Sequence, residues 1–303
     1  MEKGMTRFSV GLGGWEHEAF DHCFYPRPEM PSGERLAFYA GFFDAVEVRP
    51  TFWDETLTAA DARAWMDAVG RTASFRFTLK LHSSFTHKKT IRPHLTRNFR
   101  GMAQELARGN RLGALLAQFP YAFTNTSSNR FHLEKIGEIF RGFPVHVEFR
   151  HESWHTPELL SLLAEYGLRL VSSDLPRVKQ FMPFTTGVVG TDAYLRLHGR
   201  NERGWLLGGF DARYDYLYNG REMHEISRRL QSLAQRCGQV TVIFNNTTGG
   251  KAIANAFQLS AILANGRSSI IPPETLAAFP HLQSIARPIE GTLFSAEDYR
   301  AAM

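Results

Sequence analysis

The sequence predicts one (β/α)8 barrel, a TIM barrel of alternating parallel strands and helices, as a single domain over residues 1–303. Two observations lead to this fold class. Short apolar runs typical of buried strands alternate with amphipathic stretches along almost the entire chain, and there are eight such runs. The chain length is also usual for this architecture. We expect the barrel over about residues 8–265 and a C-terminal extension over residues 266–303.

Each predicted strand is a run of five to seven residues in which apolar side chains predominate or alternate with polar ones. Long connections separate consecutive runs, so neighbouring strands are expected to be parallel, with right-handed crossovers through helices. Eight strands connected in this way close into a barrel. In chain order the runs are residues 8–12, 45–49, 75–80, 112–118, 145–150, 168–174, 193–198 and 239–245.

Helical periodicity fills most of the intervals between these runs. Leu159, Leu163 and Tyr166, for example, fall on one helical face. Asp61 is a typical residue for a helix start, and Gly70 for a helix end. The predicted helices are residues 34–43, 58–69, 98–108, 131–140, 159–166, 223–233 and 251–265.

The interval between the sixth and seventh strands differs from the others. Pro176, Pro183 and Gly190 occur there, and such residues interrupt regular helices. We therefore expect an irregular segment over residues 175–192. The apolar stretch that follows residue 272 is expected to pack outside the barrel.

The composition is typical of a globular protein from a reducing compartment. Hydrophobic residues make up 43% and charged residues 21%, which is typical of a globular protein with a large core. Cys23 and Cys237 have no spacing typical of a metal site or a disulfide framework, which fits a reducing compartment. The sequence contains no secretory-type segment and no run of membrane-spanning length, so we expect a cytoplasmic location without a membrane partner.

The net charge of +5 favours anionic ligands, from small phosphate esters to nucleic acid. Nucleic acid is the less favoured of these partners. The one tight basic cluster near an aromatic side chain comprises Lys88, Lys89 and Arg92 beside Phe85, and a solvated loop explains this cluster more simply.

A charged motif, V-E-x-R-x-x-x-W, occurs twice, 101 residues apart. Because side chains alternate faces along a strand, Glu47 shares a face with Arg49, and Glu148 shares one with Arg150. Charged residues are seldom buried unless they are paired or functional. The two copies end the second and fifth strands, so they predict a charged site within the barrel. They lie three strands apart rather than four, which does not support duplicated half-barrels.

Function in this architecture is located at the carboxyl ends of the strands. The side chains there are mostly polar or charged, a pattern harder to obtain by accident than any single residue in it. The candidate catalytic residues are Glu148, Glu47, Lys80 and His198. The candidate substrate-binding residues are Arg196, Arg150, Asn246, Gln118, Asp174, Trp15 and Trp154.

These residue types predict acid/base chemistry on an anion. Glu148 is the expected general acid/base, with Glu47 as its partner. Lys80, Arg196 and His198 would bind the anion and stabilise negative charge. The alternative is that the Glu–Arg pairs have only a structural role, as buried ion pairs that seal the barrel. A Schiff base at Lys80 is a further alternative, but the sequence does not show the lowered pKa that it requires.

Two features at the strand ends allow two interpretations each. Asn245 and Asn246 follow the last strand, where they orient a ligand or cap the next helix. Tryptophans follow four strand ends, where they stack on a ligand or pack the rim, namely Trp15, Trp53, Trp154 and Trp205.

No cofactor is required by the sequence. A divalent metal would need Glu47, Glu148, Asp174 and His198, but the excess of Arg and Lys at that end disfavours a bound cation.

Several motifs spread nearly end to end are shared with a known family: VGLGGW at residues 10–15, FYP at 24–26, TF at 51–52, FTLK at 77–80, QFP at 118–120, VEFRH at 147–151, LRLHGR at 195–200 and FNN at 244–246. On these motifs the chain resembles the YecE-like proteins of domain-of-unknown-function family 72. The resemblance implies a TIM barrel and a cytoplasmic bacterial protein, and it brings no established activity. Trp53 departs from the Tyr that is usual after the Thr-Phe pair.

The sequence therefore predicts an enzyme that acts on a small anionic, sugar-like molecule carrying phosphate or carboxylate. Hydrolysis and isomerisation are both open, because both use the same groups. The alternatives are a nucleic-acid binding or processing protein and a non-catalytic barrel that binds a metabolite. The sequence leaves the oligomeric state open.

Overall fold

The computed structural model describes residues 6–70, 72, 74–266 and 269–287, apart from the side chain of Phe210. Eight parallel strands close into a barrel in sequence order, which confirms the predicted fold class. The strands are β1 Arg7–Leu12, β2 Ala45–Val48, β3 Arg76–Lys80, β4 Leu112–Gln118, β5 Val145–Glu148, β6 Leu168–Asp174, β7 Asp192–Leu197 and β8 Gln239–Phe244. The barrel closes where β1 pairs with β8 over its whole length, from Arg7 opposite Gln239 to Leu12 opposite Phe244.

Helices follow the strands around the outside. Two of them begin with capping boxes, in which side chain and backbone satisfy each other's hydrogen bonds, at Thr58 with Asp61 and at Asn219 with Glu222. The helices are α1 Ser32–Tyr39, α2 Ala59–Val69, α3 Ser83–Thr86, α4 Pro93–Arg108, α5 Ser127–Ile139, α6 Leu159–Glu165, α7 Glu202–Leu207, α8 Phe210–Arg213, α9 Gly220–Ala234, α10 Lys251–Leu263 and α11 Pro273–Ala278.

Most helix positions agree with the sequence prediction, and the differences have local causes. Helix α4 begins at Pro93 rather than at residue 98, because proline is favoured in the first helical turn. The segment between β6 and β7 contains no helix, as predicted. The short helices α7 and α8 after β7 were not predicted. Across the described residues, every helix is too short or too polar to span a lipid bilayer.

The C-terminal extension packs outside the barrel as far as it is described. The Thr275 hydroxyl of α11 donates a hydrogen bond to the Cys23 carbonyl oxygen at 2.7 Å, and Leu282 is fully buried. The remainder of the predicted extension, residues 267–268 and 288–303, lies outside the described residues.

The barrel interior has an apolar layer beneath its mouth. This layer is a small separate cluster of Ala45, Ala114, Leu116, Val171, Tyr194 and Ile243. The residue two positions further along each strand lies on the same face and one layer nearer the mouth. Glu47 follows Ala45 in this way, and Arg196 follows Tyr194. Glu47 and Arg196 at the mouth therefore stand directly on this apolar layer.

Candidate active site at the barrel mouth

The two copies of the charged motif meet at a single arginine. Arg196 Nη2 donates to Glu47 Oε1 at 2.8 Å, and Arg196 Nη1 donates to Glu148 Oε2. Both carboxylates are fully buried, and the arginine is almost so. Tyr194 adds a hydroxyl 3.4 Å from Glu47 Oε2. Strands β2, β5 and β7 are thus tied together by a Glu–Arg–Glu network, defined here as Glu47, Arg196 and Glu148.

Glu148 is surrounded by positive and polar groups. Its Oε1 lies 2.7 Å from Arg150 Nε and 3.2 Å from His198 Nε2. Burial alone would raise the pKa of the Glu148 carboxyl, but attraction by Arg150 and Arg196, with His198, holds the pKa well below its usual value. Glu148 is therefore a carboxylate at neutral pH, and it has no proton to donate as a general acid.

His198 does not supply the positive charge that was expected of it. The imidazole is completely buried, and its Nδ1 lies 3.1 Å from Asn245 Nδ2. Burial, with repulsion from Arg150 next, lowers the pKa of His198 to about 3. The ring is neutral at physiological pH and, being fully buried, does not line the pocket at the mouth, so its role is limited to the orientation of its neighbours.

A pocket of about 290 Å³ opens above the Glu–Arg–Glu network. Among the described residues, no Asp or Glu lines this pocket, which we call the mouth pocket. Five side chains that carry or can carry positive charge do line it: Arg49, Lys80, Arg150, Arg196 and Arg213. His87 also lines the pocket, but desolvation, with repulsion from Lys80 next, lowers its pKa to about 4, so this imidazole is neutral at physiological pH. Cations gathered in a concave site attract phosphate and carboxylate groups.

Aromatic rings form the wall of the mouth pocket, and Trp205 is the central one. The guanidinium of Arg150 lies 5.1 Å from the Trp205 ring centroid, and that of Arg213 lies 5.8 Å away. Trp205 belongs to α7, so the helix that the sequence did not predict completes the pocket. The other aromatic lining residues are Phe52, Tyr121, Phe181 and Tyr214.

Two lining arginines have donors that no protein acceptor satisfies. Arg150 Nη1 and Arg196 Nε are buried, and neither has a hydrogen-bond partner among the described residues. A buried donor without a partner is costly, and such groups call for an explanation such as a bound ligand. An anion in the mouth pocket would supply the acceptors.

Lys80, at the end of β3, has no ion pair with any described residue, because the glutamates pair with Arg150 and Arg196. Its Nζ lies 4.2 Å from the Phe52 ring centroid. The Thr51 hydroxyl holds this region together, since it lies 2.7 Å from the carbonyl oxygens of both Val48 and Lys80.

The Lys80 ammonium is poorly solvated although part of the side chain reaches the pocket. Desolvation, with repulsion from Arg196 next, lowers the pKa of Lys80 to about 7. This is the lowered pKa that the sequence could not reveal. Lys80 therefore exchanges protons near neutral pH, as an acid/base group requires.

Two tryptophans predicted to contact substrate are buried elsewhere. Trp15 donates from Nε1 to Ser32 Oγ at 3.3 Å and is almost fully buried. Trp154 donates from Nε1 to the Phe123 carbonyl oxygen at 2.7 Å, and its ring stacks 4.4 Å from that of Phe149. Neither lines the mouth pocket. The structure thus places both rings away from the pocket, because the chain beyond each strand end turns them into the protein rather than over the mouth.

Asn246 and Asp174 also lie outside the mouth pocket. Asn246 is buried, and its Nδ2 donates to the Tyr216 carbonyl and to Asn255 Oδ1. Asp174 accepts hydrogen bonds from Arg200 and from the Tyr218 hydroxyl, and it faces a neighbouring pocket. Because these partners hold both side chains outside the pocket, neither is placed to contact a ligand in the mouth as predicted.

Gln118 and Asn245 do line the mouth pocket. The alternation along β8 places Asn245, rather than Asn246, on the inner face two residues after Ile243. A side chain at position 13 would collide with Asn245, since a Cβ there would lie 2.4 Å from Asn245 Oδ1. A larger residue at position 13 would therefore displace the Asn245 amide from its position in the pocket.

Several lining residues were not among the candidates. Arg49 is the second charge of the first motif copy. The alternation of faces along the strand would by itself have placed it beside Glu47 among the candidates. Phe181 comes from the irregular segment before β7, and Arg213 and Tyr214 come from α8 and its end. No strand pattern identifies residues on such connections.

The residues considered for a metal do not come together as a ligand set. Arg196 lies between Glu47 and Glu148, and Asp174 pairs with Arg200. Within the described part of the chain, no group of three His, Cys, Asp or Glu side chains is arranged to hold a metal ion. The charges at the mouth instead suit an anion.

The fold and the mouth pocket define a TIM-barrel protein whose mouth is lined by arginine and lysine side chains. The chain belongs to the family described as protein of unknown function DUF72, whose model matches residues 9–278, and this confirms the resemblance seen in the sequence. The UPF0759 protein YunF of Bacillus subtilis (strain 168) is 29% identical over 282 residues, 87% of this chain and 97% of that protein.

Solved structures of the same family share the fold. A DUF72 family protein from Thermotoga maritima is 31% identical, with 85% of this chain and 99% of that chain covered at a TM-score of 0.75. Another from Enterococcus faecalis is 26% identical, with 88% and 98% covered and a TM-score of 0.75. The names of these relatives assign no activity.

Proposed function

We propose that this protein is an enzyme that binds a small phosphorylated or carboxylated molecule, of sugar-like size, in the mouth pocket and transfers a proton on it. The observation that carries the proposal is a pocket lined by several cations and, among the described residues, by no carboxylate. The unsatisfied donors of Arg150 and Arg196 support the same assignment. The enclosed volume of about 290 Å³ suits a small molecule better than a nucleic-acid strand.

In this proposal the glutamates hold the binding groups rather than contact substrate. Glu47 and Glu148 orient Arg196, and Glu148 also orients Arg150. Preorganised arginines bind an anion without the cost of ordering their side chains, and they stabilise charge that develops on it. Lys80 replaces Glu148 as the group that exchanges the proton, because its pKa is lowered to about 7 while Glu148 stays ionised. Proton transfer of this kind serves both isomerisation and hydrolysis.

Calorimetric titration with inorganic phosphate tests the binding part of the proposal. The wild type is expected to bind one phosphate per chain, and Arg49→Gln should weaken binding by about 10-fold or more, since it removes one charge-assisted contact. Arg49 lines the pocket and has no ion pair with a carboxylate among the described residues, so the variant leaves the Glu–Arg–Glu network intact.

The matched control is Arg141→Gln, which removes an exposed arginine that follows α5 at the opposite end of the barrel. Its phosphate affinity should equal that of the wild type. Equal weakening in both variants, or no saturable binding by the wild type, contradicts the proposed pocket.

Incubation with a defined panel of sugar phosphates and sugar acids, followed by mass spectrometry and NMR, then distinguishes an enzyme from a binding protein. Binding without conversion of any panel member favours the non-catalytic alternative.

A further inference from the structure

We propose that the Lys80 amine attacks the carbonyl group of an anionic aldehyde or ketone and forms an imine with it. This inference rests on the proposed function, and it names the substrate class of the same site. The anionic group of that substrate, phosphate or carboxylate, would be bound by the arginines of the mouth pocket.

The position of Lys80 supports a covalent role. The side chain lines the pocket from the end of β3, beside the two arginines with unsatisfied donors. A lysine that served only to balance charge would pair with a carboxylate, yet Lys80 has no such pair among the described residues. Its Nζ lies instead over the Phe52 ring, 4.2 Å from the centroid, a contact that holds the side chain in the pocket without a carboxylate partner.

The electrostatic surroundings favour the neutral amine. Charged and titratable groups face Lys80 from several elements: Glu47 and Arg49 from β2 and its end, Glu148 and Arg150 from β5 and its end, Arg196 from β7, and His87 from the end of α3. The carboxylates raise the pKa of Lys80, but desolvation and Arg196 prevail and lower it to about 7. A substantial fraction of the side chain is therefore an uncharged nucleophile at neutral pH.

The chemistry balances without another reactant. The Nζ lone pair forms a bond to the carbonyl carbon, and the C=O π electrons move to oxygen, which takes a proton to give a carbinolamine. The nitrogen loses its two hydrogens overall, the oxygen leaves with them as water, and the C=N bond forms. Once protonated, the imine withdraws electrons from the adjacent carbon, and this eases loss of a proton there.

Reductive trapping tests the inference. The wild type is treated with sodium cyanoborohydride and one of three probes: glycolaldehyde phosphate, glyoxylate, or neutral glycolaldehyde. One adduct per chain is expected at Lys80 in peptide mapping, with at least about tenfold more from an anionic probe than from the neutral one, a factor typical of one charge-assisted contact. The phosphate and carboxylate arms show which anion the pocket prefers.

The dependence of trapping on pH distinguishes Lys80 from an ordinary lysine. Only the neutral amine reacts, so adduct formation at Lys80 should rise as the pH increases through about 7 and then level off. An ordinary lysine, with a pKa of about 10.4, would continue to gain reactivity at much higher pH. Lys80→Arg should give no adduct at position 80 while adducts at the exposed Lys88 remain unchanged.

The phosphate titration on the same preparation separates failure of this inference from failure of the proposed function. If phosphate binds in the mouth but adducts occur only at exposed lysines, the imine is wrong and the anion pocket stands. If phosphate does not bind and no Lys80 adduct forms, both are wrong. Thermal unfolding of Lys80→Arg shows whether the variant is folded, and a wild type without a Lys80 adduct overturns the inference regardless of that variant.

Discussion

Replacement of Arg196 by methionine is expected to lower the free energy of unfolding by about 3–5 kcal/mol. Arg196 is the shared counterion of Glu47 and Glu148, and all three side chains are buried. Without it, Glu47 loses its ion pair and Glu148 retains only the contacts with Arg150 and His198. A buried carboxylate without compensation is much more costly than the loss of a surface charge, so denaturant unfolding should show a large shift of the midpoint.

Two further variants make this result specific. Arg213→Met removes an exposed arginine of the same pocket and should change stability by no more than about 0.5 kcal/mol. The triple variant Glu47→Gln, Arg196→Met, Glu148→Gln removes the three charges of the network together and should recover part of the loss, because buried ion pairs are often replaceable as a set. The recovery is partial because Arg150, which is also buried, loses its carboxylate partner. A loss below about 1 kcal/mol for Arg196→Met would show that the network does not hold the barrel mouth together.

Replacement of Trp154 by alanine is expected to lower the free energy of unfolding by about 3–5 kcal/mol, as for other large buried aromatic side chains. Trp154 is fully buried, stacks on Phe149, and donates to the Phe123 carbonyl oxygen. The substitution leaves a large cavity and an unsatisfied carbonyl group. Denaturant unfolding measures the effect.

Trp53→Ala is the matched control for this second prediction. The Trp53 side chain is 59% exposed, so its removal should change stability little. If Trp154 contacted a ligand instead of packing the protein, its replacement would weaken phosphate binding and leave stability near that of the wild type. That outcome would restore the role that the sequence suggested for this residue.

The fold and the inner side chains of the strands were predictable from the sequence because both follow from strict periodicities. Alternation by twos along a strand is sufficient to place Glu47, Lys80 and Arg196 on inner faces, and closure of the barrel then brings them together. The convergence of the two motif copies did not depend on any loop. It required only that β2, β5 and β7 surround the same interior.

The candidates that the structure places away from the mouth pocket lie where periodicity ends. Asn246 was chosen over Asn245 although one residue of register moves a side chain to the opposite face. Trp15 and Trp154 lie beyond strand ends, where the path of a loop decides whether a ring covers the mouth or enters the core. The pKa of Lys80 depends on desolvation by distant parts of the chain, which no local pattern encodes.

The buried charges in this barrel connect stability with the proposed chemistry. The glutamates that lower the cost of burying Arg196 also orient its donors, and Arg196 in turn lowers the pKa of Lys80. A change at one member is therefore expected to alter the charge state or position of the others. Arg49→Gln, which breaks no ion pair of the network, is the better test of ligand binding for that reason.

The most direct measurement of whether the mouth pocket binds an anion is a crystal structure of the protein with selenate, an anion whose selenium is located by anomalous scattering. We expect an anomalous peak within the mouth pocket, with oxygen atoms at hydrogen-bonding distance from Arg150 Nη1 and Arg196 Nε, the donors that have no partner among the described residues. Selenate bound at other surfaces while the mouth holds none would contradict it.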